Sequence, residues 1–155
     1  MSIFVVRHAK AGSRHDWDGD DAERPLTKAG RRQSEEIARH LADEAITGVW
    51  SSPYARCVQT VEPLARIHGL DVIREPRLVE GAPLDEVLAL LTEVPDGAVL
   101  CSHGDVIPEL LDGLVRRGTH VVGTPEWRKA SLWMLDPPGA DGAVATARAE
   151  PPPGA

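Results

Sequence analysis

Short β-rich runs alternate along this chain with stretches whose apolar residues recur at helical spacing, and that alternation limits the possible folds more than any other feature. Ile3-Phe4-Val5-Val6, Gly48-Val49-Trp50-Ser51, Asp71-Val72-Ile73-Arg74 and Ala98-Val99-Leu100-Cys101 have the length and side chains of strands. Thr27 is placed to cap a helix reaching about Asp43, with Ile37, Ala38, Leu41 and Ala45 on its inner stripe. Pro53 opens a second helix that carries Val58, Val61, Leu64 and Ala65 and ends at His68-Gly69. Leu84, Val87, Leu88 and Leu91 mark a third, stopping before Pro95. Ile107, Leu110, Leu111 and Leu114 mark a fourth over Val106–Val115, with Pro108 in the first turn, where a missing N–H is tolerated. Ser131–Leu135 and Ala143–Ala149 read as two late strands joined through the turn-rich residues 137–142. Residues 12–25 are polar and rich in Gly and Asp, hence a loop, and residues 151–155 read as a disordered tail.

Strands that alternate with helices imply an α/β fold of three layers, α/β/α: a mostly parallel sheet, helices on both faces, and a C-terminal antiparallel hairpin. A length of 155 residues suits a single domain, expected over 1–150. The formal charge of -7 argues against nucleic-acid binding, which needs a basic footprint. Cys57 and Cys101 lack the CxxC spacing of a structural zinc site and suit reduced thiols. No apolar stretch approaches a membrane span, and no signal segment is visible, so the expected location is the cytoplasm. The basic residues are 14 Arg and 3 Lys, and Arg is the better fork for phosphate.

In open α/β sheets, ligands bind beyond the carboxyl ends of the strands. Here the first strand runs into Arg7-His8-Ala9, the second into Ser51-Ser52-Pro53-Tyr54-Ala55-Arg56, and the fourth into Ser102-His103-Gly104-Asp105. Two imidazoles and two guanidiniums gathered on one rim must be compensated, because burying like charges costs several kcal/mol. A tetrahedral phosphate is the natural partner, since Arg pairs with its oxygens bidentately. A neutral imidazole is also a competent nucleophile toward phosphorus, and fixed cations then stabilise the transferring phosphoryl without a metal.

These residues resemble the histidine phosphatase superfamily, also called phosphoglycerate-mutase-like. The resemblance rests on Val6-Arg7-His8-Ala9, on Arg24-Pro25-Leu26-Thr27 leading through Gly30 to Gln33, on Ser51-Ser52-Pro53 through Arg56 to Gln59-Thr60, and on Ser102-His103-Gly104-Asp105. These motifs stand in order across residues 3–105. The common triplet is Arg-His-Gly, and Ala9 departs from it. The run Arg7-His8-Ala9-Lys10-Ala11 is similar to the small SixA-type phosphohistidine phosphatases, and only 22 residues separate Glu80 from His103, leaving little room for the lid insertions of mutase-like members.

The resemblance implies His8 as nucleophile, Arg7 and Arg56 as grips on the phosphoryl oxygens, His103 as a further phosphoryl contact, and Glu80 as the candidate general acid. Lys10, Ser13 and Arg14, just after the nucleophile, are candidate pocket-mouth residues. It implies no metal and no cofactor. The substrate expected is protein phosphohistidine, with a histidine phosphotransfer domain as the partner that presents it; small phosphate esters and nucleotides are the alternative, since similar domains occur fused to Nudix hydrolases. A second class is a metallohydrolase built on His8, His15, Asp16, Asp18, His103 and Asp105, opposed by Arg7 and Arg56, which repel a cation. A non-catalytic phosphate-binding module and a mutase are more remote readings. Trp17 and the acidic run Asp16–Glu23 are expected at the surface, and Trp127 and Trp133 in packing roles.

Overall fold

The computed structural model describes residues 1–154. Among the described residues, seven strands form one sheet: β1 (Ile3–Arg7), β2 (Gly48–Ser51), β3 (Val72–Arg74), β4 (Ala98–Ser102), β5 (His120–Val122), β6 (Leu132–Leu135) and β7 (Thr146–Glu150). Their order is β3-β2-β4-β1-β6-β7-β5. The pairs among β3, β2, β4 and β1 are parallel, and so is β5 with β7. Only β6 runs against its neighbours, pairing antiparallel with both β1 and β7. The fold is therefore the α/β arrangement expected, including the late antiparallel hairpin. Strand β5 was not expected; His120-Val121-Val122 is too short to announce itself.

Four helices cover the two faces: α1 (Lys28–His40), α2 (Ala55–Ile67), α3 (Leu84–Glu93) and α4 (Val106–Arg116). The alternation of β1 divides the core. Phe4 and Val6 join Ile37, Ala38 and Leu41 at the α1 end and Val61, Leu64 and Ala65 of α2. Ile3 and Val5 join Val87, Leu90 and Leu91 of α3 and Ile107, Leu110, Leu111 and Leu114 of α4. Strands buried on both faces read as continuous apolar runs, as β1 and β4 do.

Thr27 caps α1, its side chain accepting from the Gly30 N–H at 3.0 Å. The helix ends at His40, earlier than its apolar spacing suggests, so Ala45 falls outside it and is exposed. Glycine is required at position 30, because a Cβ there would lie 2.0 Å from the Lys10 carbonyl oxygen. Helix α2 begins at Ala55, and Gly69 takes the left-handed conformation (φ 69°) just past its end.

Residues 12–25 form the expected loop with one turn of 3-10 helix, Asp21–Glu23. Beyond β7, Pro152 is buried and a Cβ at Gly154 would meet the Glu36 side chain of α1. Residues 151–154 form no helix or strand, and Pro151 and Gly154 are exposed; Ala155 lies outside the described residues.

Candidate active site

Strand register builds the site. Arg7 pairs with Ser102, and Ser51 with Cys101, so the carboxyl ends of β1, β2 and β4 are level. The ladder continues one step past the strands. The His8 N–H donates to the Ser102 carbonyl at 3.1 Å, and the Ser52 N–H to the Cys101 carbonyl at 3.0 Å. His8, Ser52 and His103 therefore leave the sheet side by side, and the rings of His8 and His103 stand edge to face with centroids 5.5 Å apart.

The hydrogen bonding of His8 selects its reactive nitrogen. Its Nδ1 lies 2.8 Å from the Ala9 carbonyl oxygen. A carbonyl only accepts, so Nδ1 carries the hydrogen and Nε2 keeps the lone pair. Burial pushes the His8 imidazole down to about 3; the Ala9 hydrogen bond opposes this, while His103, Arg56 and Arg7 add electrostatic resistance to a second positive charge. His8 is thus neutral at physiological pH, the form a nucleophile needs. The Ala9 N–H donates to Thr60 Oγ1 at 2.8 Å, and Thr60 donates in turn to the Arg56 carbonyl at 2.6 Å. Alanine stands where the family pattern has glycine without strain, since its backbone has no positive φ.

Arg56 is 1% exposed and lies in the first turn of α2. It donates to the Asp21 carbonyl at 2.9 Å and the Asp21 carboxylate at 3.1 Å, and its guanidinium sits over the Tyr54 ring. Arg7 donates to the Trp127 carbonyl at 2.6 Å and lies over Gly104, where a Cβ would come within 2.6 Å of the guanidinium. His103 is 1% exposed and its Nε2 meets Ser52 Oγ at 2.9 Å. Among the described residues, Arg7 Nε, Arg56 Nε and His103 Nδ1 are buried polar atoms with no hydrogen-bond partner. Such atoms are costly unless a ligand satisfies them, and a tetrahedral oxyanion offers acceptors for several donors at once.

A cavity of about 460 Å3 is lined by Arg7, His8, Arg56 and Glu80 and by Ser13 and Arg14; His103 is buried and does not line it. Glu80 reaches Arg14 at 3.0 Å and Arg56 at 3.5 Å. Its loop is tied down by Ser102, which donates to the Leu78 carbonyl at 2.7 Å, and by Asp105, which accepts the Gly81 N–H at 2.7 Å. Lys10 does not line the cavity; it is exposed, and its backbone carbonyl accepts the Thr27 N–H at 3.0 Å.

Several residues were missed by sequence reasoning. Asp21, inside a run expected to be a solvated surface, bridges Arg56, Arg24 and Arg14. Burial works to raise its carboxyl, but the Arg24 hydrogen bond and the Arg56, Arg14 and Arg24 charges hold it below the usual range. Arg24 and Lys129 also line the cavity. Gln33 accepts the Lys10 N–H and Gln59 the Leu26 N–H, each at 2.9 Å, so these glutamines fasten the loop after the nucleophile. Trp133 is packed as expected, whereas Trp127 is exposed and its ring leans on Trp133, with centroids 5.2 Å apart.

The ligands of a metallohydrolase do not converge. His15, Asp16 and Asp18 are exposed on the loop, Asp105 is engaged by the Gly81 N–H, and the described residues hold no group of three or more His, Cys, Asp or Glu fit to bind a metal ion. No helix of the described residues is long and apolar enough to cross a membrane.

The ends of β1 and β4 and the start of α2 thus gather two histidines and two arginines on one rim of an α/β sheet. A model of the histidine phosphatase superfamily (branch 1) matches residues 3–83, and the chain belongs to that superfamily. An 8-oxo-(d)GTP phosphatase of Mycolicibacterium smegmatis is 36% identical over 140 residues, covering 86% of this chain and 44% of the relative. A probable phosphoglycerate mutase GpmB of Photorhabdus laumondii is 29% identical over 85 residues, or 52% of this chain and 38% of the relative. The chain thus spans less than half the length of these curated relatives. Among solved structures, a putative phosphohistidine phosphatase SixA from Nakamurella multipartitia superposes with a TM-score of 0.74 at 26% identity, covering 96% of this chain and 92% of that one. A SixA protein histidine phosphatase complexed with tungstate shares the fold with a TM-score of 0.76 at 23% identity, covering 94% and 93%.

Proposed function

We propose that this chain is a metal-independent phosphatase that works through a covalent phosphohistidine at His8, on a substrate whose leaving group needs a proton: a phosphate ester or the terminal phosphate of a nucleotide. The observation that carries the mechanism is the neutral His8, its Nδ1 hydrogen bonded to Ala9, set among the unsatisfied Nε atoms of Arg7 and Arg56. Nε2 attacks phosphorus and the bond to the leaving oxygen breaks, while Arg7, Arg56 and His103 hold the phosphoryl oxygens. Glu80 gives the leaving oxygen its proton, then takes one from the water that attacks phospho-His8, which releases phosphate and restores the imidazole. The placement of Glu80 on the cavity wall supports a leaving group of that kind, and the relative that acts on 8-oxo-(d)GTP supports a nucleotide.

A second reading is protein phosphohistidine presented on a histidine phosphotransfer domain, favoured by the likeness to the SixA structures. Its leaving imidazole can carry a proton near neutral pH, since its ordinary pKa is about 6.5, so that reaction depends less on Glu80.

The test compares an aryl phosphate, nucleoside mono- and diphosphates and a phosphorylated phosphotransfer domain, each with the wild-type chain, Glu80→Gln and His8→Ala. The expected outcome is activity that survives EDTA, is blocked by vanadate and is lost in His8→Ala. Glu80→Gln should lower ester or nucleotide hydrolysis by about 100-fold or more, the usual scale of general acid catalysis. Turnover confined to the phosphorylated domain and indifferent to Glu80→Gln would establish the second reading instead.

A further inference from the structure

We infer that Lys129 and Arg24 form a second anion subsite beside the catalytic pocket, which takes a phosphate adjoining the one transferred and so fits the chain to diphosphate substrates. The inference rests on the phosphatase reading above and deepens it.

Lys129 lines the same cavity as Arg7, His8 and Arg24, although it lies 121 residues beyond His8 in the sequence. Its position is built rather than incidental. Residue 130 is the only non-glycine residue of the described chain with a positive φ, 69°, and it is fully buried. Left-handed backbone is costly for alanine and persists only where surrounding bonds enforce it. Here the Ala130 N–H is shared between the Arg7 and His8 carbonyls, each at 3.2 Å, and the Arg7 N–H donates to the Ser131 carbonyl at 3.0 Å. The backbone that carries Lys129 is therefore bonded directly to the backbone that carries the nucleophile.

The charges around Lys129 have the sign of a site that expects an anion. Among the described residues no acid lies within ion-pair distance of Lys129, whereas Arg14, Arg24 and Arg56 each meet Asp21. Lys129 is exposed, and partial desolvation, with smaller contributions from the Arg7, Arg24, Lys10 and Arg56 charges, lowers its pKa. Arg24 is buried, held by Asp21 through Nε at 3.0 Å and by the Gly12 carbonyl through Nη1, which leaves Nη2 for a ligand. Arg7, Arg56 and His103 already suffice for the oxygens of one phosphoryl group. Lys129, with no acid partner, supplies the additional positive charge on the same wall, and Arg24, whose charge Asp21 already meets, supplies a further N–H donor.

The test is a binding titration of two non-hydrolysable probes, methylphosphonate and methylenediphosphonate, to the wild-type chain, Lys129→Ala and Lys129→Arg. Wild type should bind the diphosphonate at least about tenfold more tightly than the phosphonate, the scale of one charge-assisted hydrogen bond. Lys129→Ala should lose most of that advantage while phosphonate affinity changes less than about threefold, and Lys129→Arg should restore it. Equal affinities in the wild type, or an advantage that survives Lys129→Ala, would overturn the subsite. Because the readout is binding, a chain that binds as expected but never forms phospho-His8 would refute the mechanism and leave the subsite standing.

Discussion

A histidine serves as nucleophile only while it is neutral, and the surroundings of His8 hold it so at the expense of acid stability. In the unfolded chain an imidazole protonates near 6.5, whereas burial lowers the folded value to about 3. Between those two values the unfolded state binds more protons than the folded one, so stability falls as pH falls through that window. The contribution is complete above about 6.5 and changes by at most about 1.4 kcal/mol per pH unit below it. His8→Gln removes the titration. Denaturant unfolding at pH 7 and pH 4.5 should show the variant losing less stability on acidification than wild type; parallel losses would mean that His8 does not titrate in this way. Much at this scale was legible: Arg7, His8 and His103 stand at the ends of strands that the residue pattern reveals, and Arg56 lies in the first turn of the helix that follows β2. Asp21 was not legible, since an acidic run in a Gly-rich loop reads as solvated surface, and nothing local shows that Arg56 lies across from it.

At the scale of elements, the loop that follows the nucleophile is held mainly by side chains of the two helices on one face. Gln33 of α1 and Gln59 and Thr60 of α2 accept backbone N–H groups of Lys10, Leu26 and Ala9. This gives the spaced Gln and Gln-Thr motifs a physical reason: they replace a ladder partner for backbone that has left the sheet. Thr60→Val keeps the shape and removes the acceptor, stranding the Ala9 N–H at a cost of about 1–3 kcal/mol. The expected result is a lower Tm together with reduced kcat, both recovered in Thr60→Ser; a valine variant with wild-type Tm and kcat would contradict that role. The helix stripes were readable because apolar spacing reports burial directly. Strand β5 and the end of α1 were not: a three-residue edge strand has no period to detect, and the apolar spacing that suggested Ala45 ran past the last helical turn.

For the whole molecule, the decisive property is a sheet order that sets β1 between β4 and β6, with the carboxyl ends of β1, β2 and β4 in register. The fold class followed from the alternation of elements, but the order of strands did not, because long-range pairing leaves no local trace. Nor did the approach of residues 127–131 to β1, which brings Lys129 to the cavity from the far end of the chain. A chain of net charge -7 thereby gathers Arg7, Arg14, Arg24, Arg56 and Lys129 in one cavity with the neutral imidazole of His8. The most direct test of this account is to quench the reaction with a radiolabelled phosphorylated substrate during turnover and map the label. Acid-labile, base-stable phosphate on the His8 side chain, absent from His8→Ala, is the expected result; active turnover with no label there at any time point would contradict it.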